Sequence, residues 1–304
     1  MAVEGFEDLS DVLLDLILGY ECNVQCDYCS VTDEMRRHNL TTREAVAEIV
    51  QARALGLHKV SFGGGEPTIR KDLLPLVRLA RDRGYDFVKV ASNGLLYSYE
   101  QFARDAVEAG VTRFHISVMA HTAALYESIM GLRGALDLVE RGVKNLIALG
   151  QRPILDLIIK NDTCRHLADI VEHWARLGVR DFVLWLVSLT DRNRDNLASL
   201  PRVSDMRDAI VRAFERSDAL GVACESRHIP RCMLRGYERF VRDLRQDRVI
   251  VVTPGSRFRL WESVISANTY TEKCRDCRHY EGDCMGLRRD YLERYGDGEV
   301  VPIH

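Results

Sequence analysis

Short β-branched apolar runs alternate along this chain with longer stretches whose apolar residues recur at helical spacing. The runs predict strands over 12–18, 58–62, 86–91, 113–118, 154–159 and 182–187. The amphipathic stretches predict helices over 42–55, 71–83, 99–109, 135–149, 164–177 and 204–220. Thr41 or Thr42 caps the first helix, and Gly84, Gly110, Gly150, Gly178 and Gly221 follow later ones. Glycine suits that position because it takes a left-handed turn without a steric penalty. Six strand–helix units in succession imply an α/β fold with a parallel sheet and right-handed crossovers. The sheet is either open and doubly wound or a full or partial barrel, and six units are too few for an eight-fold barrel. Ligands bind at the C-terminal strand ends of both architectures. After about Gly221 the periodicity weakens and cysteines appear, which divides the chain into 1–220 and 221–304.

Composition changes this picture only through charge and cysteine. Forty-two basic and 45 acidic residues give a net charge of -3, no electrostatic reason to expect a nucleic-acid or membrane partner. No apolar run reaches the roughly 18 residues of a membrane span. The N-terminus carries Glu and Asp where a signal peptide carries Lys or Arg, so the chain reads as cytoplasmic. Its nine cysteines, an odd number in a reducing compartment, then point to metal or redox chemistry rather than disulfides.

Six of them form two groups. The loop after the first strand holds Cys22, Cys26 and Cys29 in C-x3-C-x2-C spacing. Structural zinc takes four protein ligands in a closed tetrahedron. Three thiolates suit a four-iron cluster with one iron left open, although zinc completed from elsewhere stays possible. The loop after the second strand reads Gly63-Gly64-Gly65-Glu66-Pro67. Its glycines let backbone approach a ligand with unpaired N–H and C=O groups facing it, and Glu66 offers a carboxylate to an ammonium. A second group, Cys274, Cys277 and Cys284, lies in the tail in C-x2-C-x6-C spacing, with Cys232 upstream as a fourth thiolate and Cys224 as its rival.

C-x3-C-x2-C with an aromatic before its last cysteine, followed one strand later by GGEP, resembles the radical S-adenosylmethionine (AdoMet) enzyme superfamily over roughly residues 10–200. The resemblance implies a partial (β/α)6 barrel with a [4Fe-4S] cluster on Cys22, Cys26 and Cys29 at its mouth. AdoMet would chelate the fourth iron. Gly64, Gly65 and Glu66 match the stretch that binds its methionine amine. Ser92 and Asn93 match positions that contact ribose or carboxylate, with Ser117 and Val187 or Ser188 as weaker matches. The chemistry implied is reductive AdoMet cleavage by an external electron donor such as a flavodoxin or ferredoxin. A 5′-deoxyadenosyl radical then takes hydrogen from an unactivated C–H bond. The tail resembles the shortened SPASM, or twitch, domain. That implies a small C-terminal auxiliary domain with a second [4Fe-4S] cluster on Cys232, Cys274, Cys277 and Cys284, a four-thiolate zinc staple being the alternative.

Cys164 and Cys224 are left over. Buried free cysteines are usually inert, but a thiol facing a substrate radical donates hydrogen, which makes epimerisation one expected outcome. Oxidation with the auxiliary cluster as electron acceptor is the other. Radical ring closure or cross-linking, and a non-catalytic electron carrier or sensor, remain as alternatives. About a dozen residues precede the first strand, too few for a leader-binding module or a cobalamin domain. The substrate is therefore expected to be a small molecule or a short peptide brought by a partner. The last five residues, VPIH preceded by Val300, do not match the GG tail of molybdopterin-synthesis relatives. His115 and Trp185 read as structural, while His121, Arg133, Asn161 and Arg227 read as polar groups able to face the cavity.

Overall fold

The computed structural model describes residues 6, 8–243, 247–263 and 269–304. The first apolar run forms β1 (Leu13–Ile17), and its alternation separates two layers. Leu14 and Leu16 are fully buried in the core, while Asp15 turns to an interior cavity. The chain then alternates through α1 (Thr42–Ala54), β2 (Lys59–Gly63), α2 (Leu73–Asp82), β3 (Phe87–Ser92) and α3 (Glu100–Ala109). It continues with β4 (Arg113–Val118), α4 (Ala123–Met130), α5 (Ala135–Ala148), β5 (Ile154–Ile159), α6 (Leu167–Arg176), β6 (Asp181–Leu186) and α7 (Val203–Leu220). Thr41, rather than Thr42, caps α1: its side chain accepts from the Glu44 amide, and Glu44 accepts in return from the Thr41 amide.

Strands β1 to β7 (Ala223–Arg227) pair in sequence order, all parallel. A doubly wound sheet reverses its strand order at a switch point, and this one does not. On the far side of β1 lies β8 (Val249–Thr253), again parallel, and β9 (Ser256–Arg259) adds an antiparallel edge. The two ends of the sheet are joined by side chains. Arg227 of β7 makes ion pairs with Glu225 and with Asp247, which lies just before β8. Val241 also bridges to Ser226 of β7. The sheet thus curves around a cavity in the manner of a barrel.

Three features depart from the sequence reading. Helix α4 is new, although Thr122 and Gly131 at its ends are ordinary boundary residues. The expected helix over 164–177 starts instead as a 3-10 turn at Cys164–His166, because Thr163 turns back to the Ile158 and Lys160 carbonyls. The sheet also runs on past residue 220 through β7 and β8. The tail docks on β6. Arg288, almost fully buried, donates to the carbonyls of Leu186 and Val187, and Asp290 accepts from the Leu189 amide. The C-terminal helix α8 (Arg289–Tyr295) follows. No helix among the described residues is long and apolar enough to cross a membrane.

Candidate active site at the mouth of the sheet

Cys22, Cys26 and Cys29 sit in the loop after β1, half-buried and unbridged. Burial, and then the nearby Cys29 and Cys22 thiols, pushes Cys26 up to about 12, so the three sulfurs lie close enough to feel one another. Three neighbouring thiols are a donor set for a cationic centre, which deprotonates its ligands on binding. Loops from around the mouth hold this segment in place. Arg36 donates to the carbonyls of Cys22 and Val24. Asn93, after β3, donates to Asn23 at 2.8 Å. Lys160, at the end of β5, is 3% exposed and makes ion pairs with Asp27 and Asp162. The loop after β6 adds Thr190, which donates to Ser30 at 3.0 Å. Asn23, Arg36, Asp27 and Lys160 carried no motif, and only the folded loops reveal them.

The glycine loop behaves differently from its sequence reading. Two of its amides are used within the protein: Gly65 N–H donates to Gly19 O at 2.9 Å and Glu66 N–H to Glu21 O at 2.8 Å. The β1 and β2 loops are zipped together, leaving no space for side chains at the seam. A Cβ on Gly65 would fall 2.2 Å from Glu21 O, and one on Gly64 2.1 Å from Gly19 O. Gly63 has no such constraint, its nearest neighbour being Ile17 Cδ1 at 3.7 Å. The Glu66 carboxylate is also engaged internally. It accepts from Thr68 N at 3.0 Å, Thr68 Oγ1 at 2.5 Å, Ser92 Oγ at 2.8 Å and Asn93 N at 2.6 Å. Burial raises its pKa in spite of these bonds. Glu66, Ser92 and Asn93 therefore form one buried network that locks three loops at the mouth.

Ser117 lies at the end of β4, its carbonyl accepting from Tyr126 Oη at 3.4 Å. Ser188 accepts from Arg288 at 3.3 Å and, like Val187, lines the main cavity. This cavity, about 890 Å³, runs through the inside of the curved sheet and has Cys29 on its wall. Its lining corrects two structural readings. Trp185 lines the cavity and is only half-buried, where Phe182, Leu184 and Leu186 of the same strand are almost fully buried. Its Nε1 donates to Asp156 at 2.9 Å, and the Arg227 guanidinium lies 5.1 Å above its ring. His115 also lines the cavity, 3.0 Å from Asp156. Burial opposes the Asp156 charge, but His115 and the bonds from His115 and Trp185 hold its pKa below the usual carboxylate range. Of the other polar expectations, Arg227 reaches the cavity but is ion-paired. Arg133 is exposed, Asn161 is bonded to Ala198 O, and His121 packs near His166 and His173.

His228 adds a buried imidazole to that wall. Its backbone is left-handed at φ 68° and its Nε2 has no hydrogen-bond partner. Burial first, then Arg288, holds its pKa down to about 3. The folded state thus refuses a proton that the unfolded chain takes up near pH 6.5. This contribution to stability is intact above about 6.5 and is lost as pH falls toward 3, at about 1.4 kcal/mol per unit. Denaturant unfolding at about pH 5.5 and pH 4.5 should show that slope, and His228→Phe should flatten it by close to one proton.

The two leftover thiols are not placed alike. Cys224 lies at the N-terminal start of β7, opposite Phe182, and its thiol meets Ser217 of α7. That contact turns the thiol toward the helix layer, although the residue also borders the main cavity at the end of the sheet away from the mouth. Cys164 is at the mouth end, but its thiol donates to Asn161 O at 3.4 Å. In the tail, Cys232, Cys274, Cys277 and Cys284 line one small cavity walled by Tyr270 and Tyr280, and Cys224 is not among them. Burial first pushes Cys284 up to about 12, with the nearby Cys232 and Cys277 adding to the shift.

The chain belongs to the radical SAM superfamily, whose family model matches residues 16–174. Membership implies a [4Fe-4S] cluster and AdoMet, and the three-thiol loop at the mouth is a donor set that fits them. Among curated relatives, a probable GTP 3′,8-cyclase of Saccharolobus solfataricus is 30% identical over 173 residues, 56% of this chain and 55% of its own length. A probable GTP 3′,8-cyclase of Methanococcus aeolicus is 29% identical over 165 residues, 52% of this chain and 54% of its own. The chain spans about half the length of the curated relatives it matches. In overall fold it is similar to Streptococcus suis SuiB bound to S-adenosylmethionine (TM-score 0.68, 13% identity, 97% of this chain and 77% of that one). It is also similar to anSMEcpe with bound AdoMet and a Kp18Cys peptide (TM-score 0.65, 15% identity, 96% and 92%).

Proposed function

We propose that this radical AdoMet enzyme carries a second, auxiliary iron–sulfur cluster and oxidises a polar small molecule or short peptide held in the interior cavity. The carrying observation is Cys29, a member of the thiol triad, on the wall of that 890 Å³ space. Such a volume suits a cofactor and a small substrate side by side.

Cys22, Cys26 and Cys29 would hold three irons of the first cluster. When bound, that cluster and AdoMet supply the 5′-deoxyadenosyl radical that removes a substrate hydrogen. The protein's own part is placement and exclusion of water. With the Gly65 and Glu66 amides already used, the loop would offer carbonyl oxygens to the methionine ammonium. Glu66, Ser92 and Asn93 keep that loop fixed against the triad. The Asp156–His115 pair orients an imidazole at the cavity wall, beside Trp185. Cys232, Cys274, Cys277 and Cys284 would hold the second [4Fe-4S] cluster, a sink for the electron that oxidation releases. Residues 1–220 are then the AdoMet part and 221–304 the auxiliary part, with β7 and β8 completing the sheet. Nine free thiols fit a reducing, cytoplasmic setting with a flavodoxin or ferredoxin as donor.

Oxidation is favoured over epimerisation because Cys224, although it borders the cavity, has its thiol bonded to Ser217, and Cys164 is not on the cavity wall. The relatives' cyclase names favour ring formation as the second reading, but the match covers only about half of each protein. Anaerobically purified protein should carry about eight irons and eight sulfides, with no zinc on the tail thiols. With reductant it should convert AdoMet to 5′-deoxyadenosine. About four irons plus one zinc would make the tail a staple and remove the electron sink. Once a substrate is found, product two hydrogens lighter supports oxidation. Deuterium from solvent at one carbon, with no change in redox state, would reverse it.

A further inference from the structure

Outside the cavity, the loop after β4 meets the start of α6 at a cluster that none of this chemistry uses. His166, the residue just before α6, and Asp169, in its first turn, lie three residues apart, and His121 packs against His166. A ligand atom from each of the three lies within 4.8 Å of the others. The His121 and His166 rings are 5.6 Å apart. His121 Nδ1 is buried and has no hydrogen-bond partner. Buried ring nitrogens are ordinarily satisfied, so an unpartnered one beside a second imidazole and a carboxylate is available to a ligand.

We infer that His121, His166 and Asp169 bind one divalent transition-metal ion of the zinc type. Two imidazoles and one carboxylate are a borderline donor set, suited to zinc, cobalt or nickel rather than to calcium or magnesium. Three protein ligands leave a fourth position for water. Asp169 is exposed, so an ion has a route in. His173 stands one turn further along α6, its Nε2 held by Glu140 at 2.8 Å, and its ring is 6.4 Å from His121. Its place is beside the ion rather than on it. One existing contact must give way. His166 Nε2 accepts from Arg165 Nε at 3.2 Å. Coordination through that nitrogen displaces Arg165, and coordination through the other turns Nε2 into a donor. Arg165 is exposed and free to swing into solvent. The ion would clip the loop after β4 to the helix after β5, stiffening the rim of the mouth at a distance from the thiols.

The test uses the reconstituted protein, with its cysteine sites filled by iron, dialysed against about 10 µM free Zn²⁺. Zinc and iron per chain are measured together by mass spectrometry. Wild type is expected to gain one zinc without losing iron, and to melt several degrees higher. His121→Ala and His166→Ala should bind at least tenfold more weakly and lose the thermal shift. Arg165→Ala should bind as well as wild type or better. Asp169→Asn, at an exposed position, keeps the fold and should still weaken binding about tenfold, which covers the case of a misfolded histidine variant. Equal zinc in wild type and in the His166→Ala and Asp169→Asn variants would overturn the inference. So would no zinc in wild type at about 100 µM.

Discussion

Replacing Cys22, Cys26 and Cys29 together by alanine is expected to remove about four of about eight irons and all AdoMet cleavage while leaving the fold intact. The iron loss follows from ligand chemistry, since alanine offers no donor. The survival of the fold follows from how the loop is held. Arg36, Asn93 and Lys160 grip its backbone and its side chains Asn23 and Asp27, not its sulfurs. The sulfurs themselves are only half-buried, so their loss opens no large cavity. Iron and sulfide analysis, 5′-deoxyadenosine yield and a thermal melt on the same sample decide the outcome. Loss of all eight irons would mean that the tail cluster depends on the first. Retention of all eight would mean that the triad is not a cluster site.

Gly65→Ala is expected to cost at least about 100-fold in AdoMet cleavage, and Gly63→Ala close to nothing. The two glycines are neighbours in one GGG run and look equivalent in sequence. In space, a methyl on Gly65 meets the Glu21 and Tyr20 carbonyls at 2.2 and 2.5 Å, whereas one on Gly63 makes an ordinary contact at 3.7 Å. The alanine at 65 must push the β1 and β2 loops apart. That shift breaks the Gly65–Gly19 and Glu66–Glu21 bonds and moves the thiol loop against the Glu66 network. Overpacking of this kind costs about 1–3 kcal/mol, so the protein still folds and the defect appears at the site. Comparing 5′-deoxyadenosine formation with the iron content of each variant separates misplacement from cluster loss. If Gly63→Ala proves as damaging as Gly65→Ala, the run is shaped by a ligand pressed against it, not by the loop seam.

Where local signals were strong, they were enough. Strands β4 and β5 begin and end where their β-branched runs do, and the helices stop at or just before their glycines. The thiol triad was legible because three cysteines in eight residues need no tertiary information to be neighbours. The tail was legible in part: Cys274, Cys277 and Cys284 are close in sequence, but only the fold shows that Cys232, and not Cys224, lines the same small cavity. Trp185 and His115 were misjudged because an aromatic residue or a histidine within an apolar strand looks like core until the side it faces is known. The interior of this curved sheet mixes apolar with charged and polar side chains, so alternate strand positions lead to a cavity wall rather than to the core.

What the sequence alone determined is therefore what short-range geometry dictates: the order of strands and helices, the cysteine spacing, and the end of the sheet at which the loops gather. The tertiary structure decided which face each strand residue presents. It decided which glycine is sterically obligatory and that Glu66 serves as a lock between loops. It also separated Cys224 from the thiols it resembles by turning it toward α7. The reason is common to all of these. A strand changes face with every residue, and a loop seam closes between segments distant in the chain. Neither the phase of the one nor the partner of the other can be read before the sheet has curved.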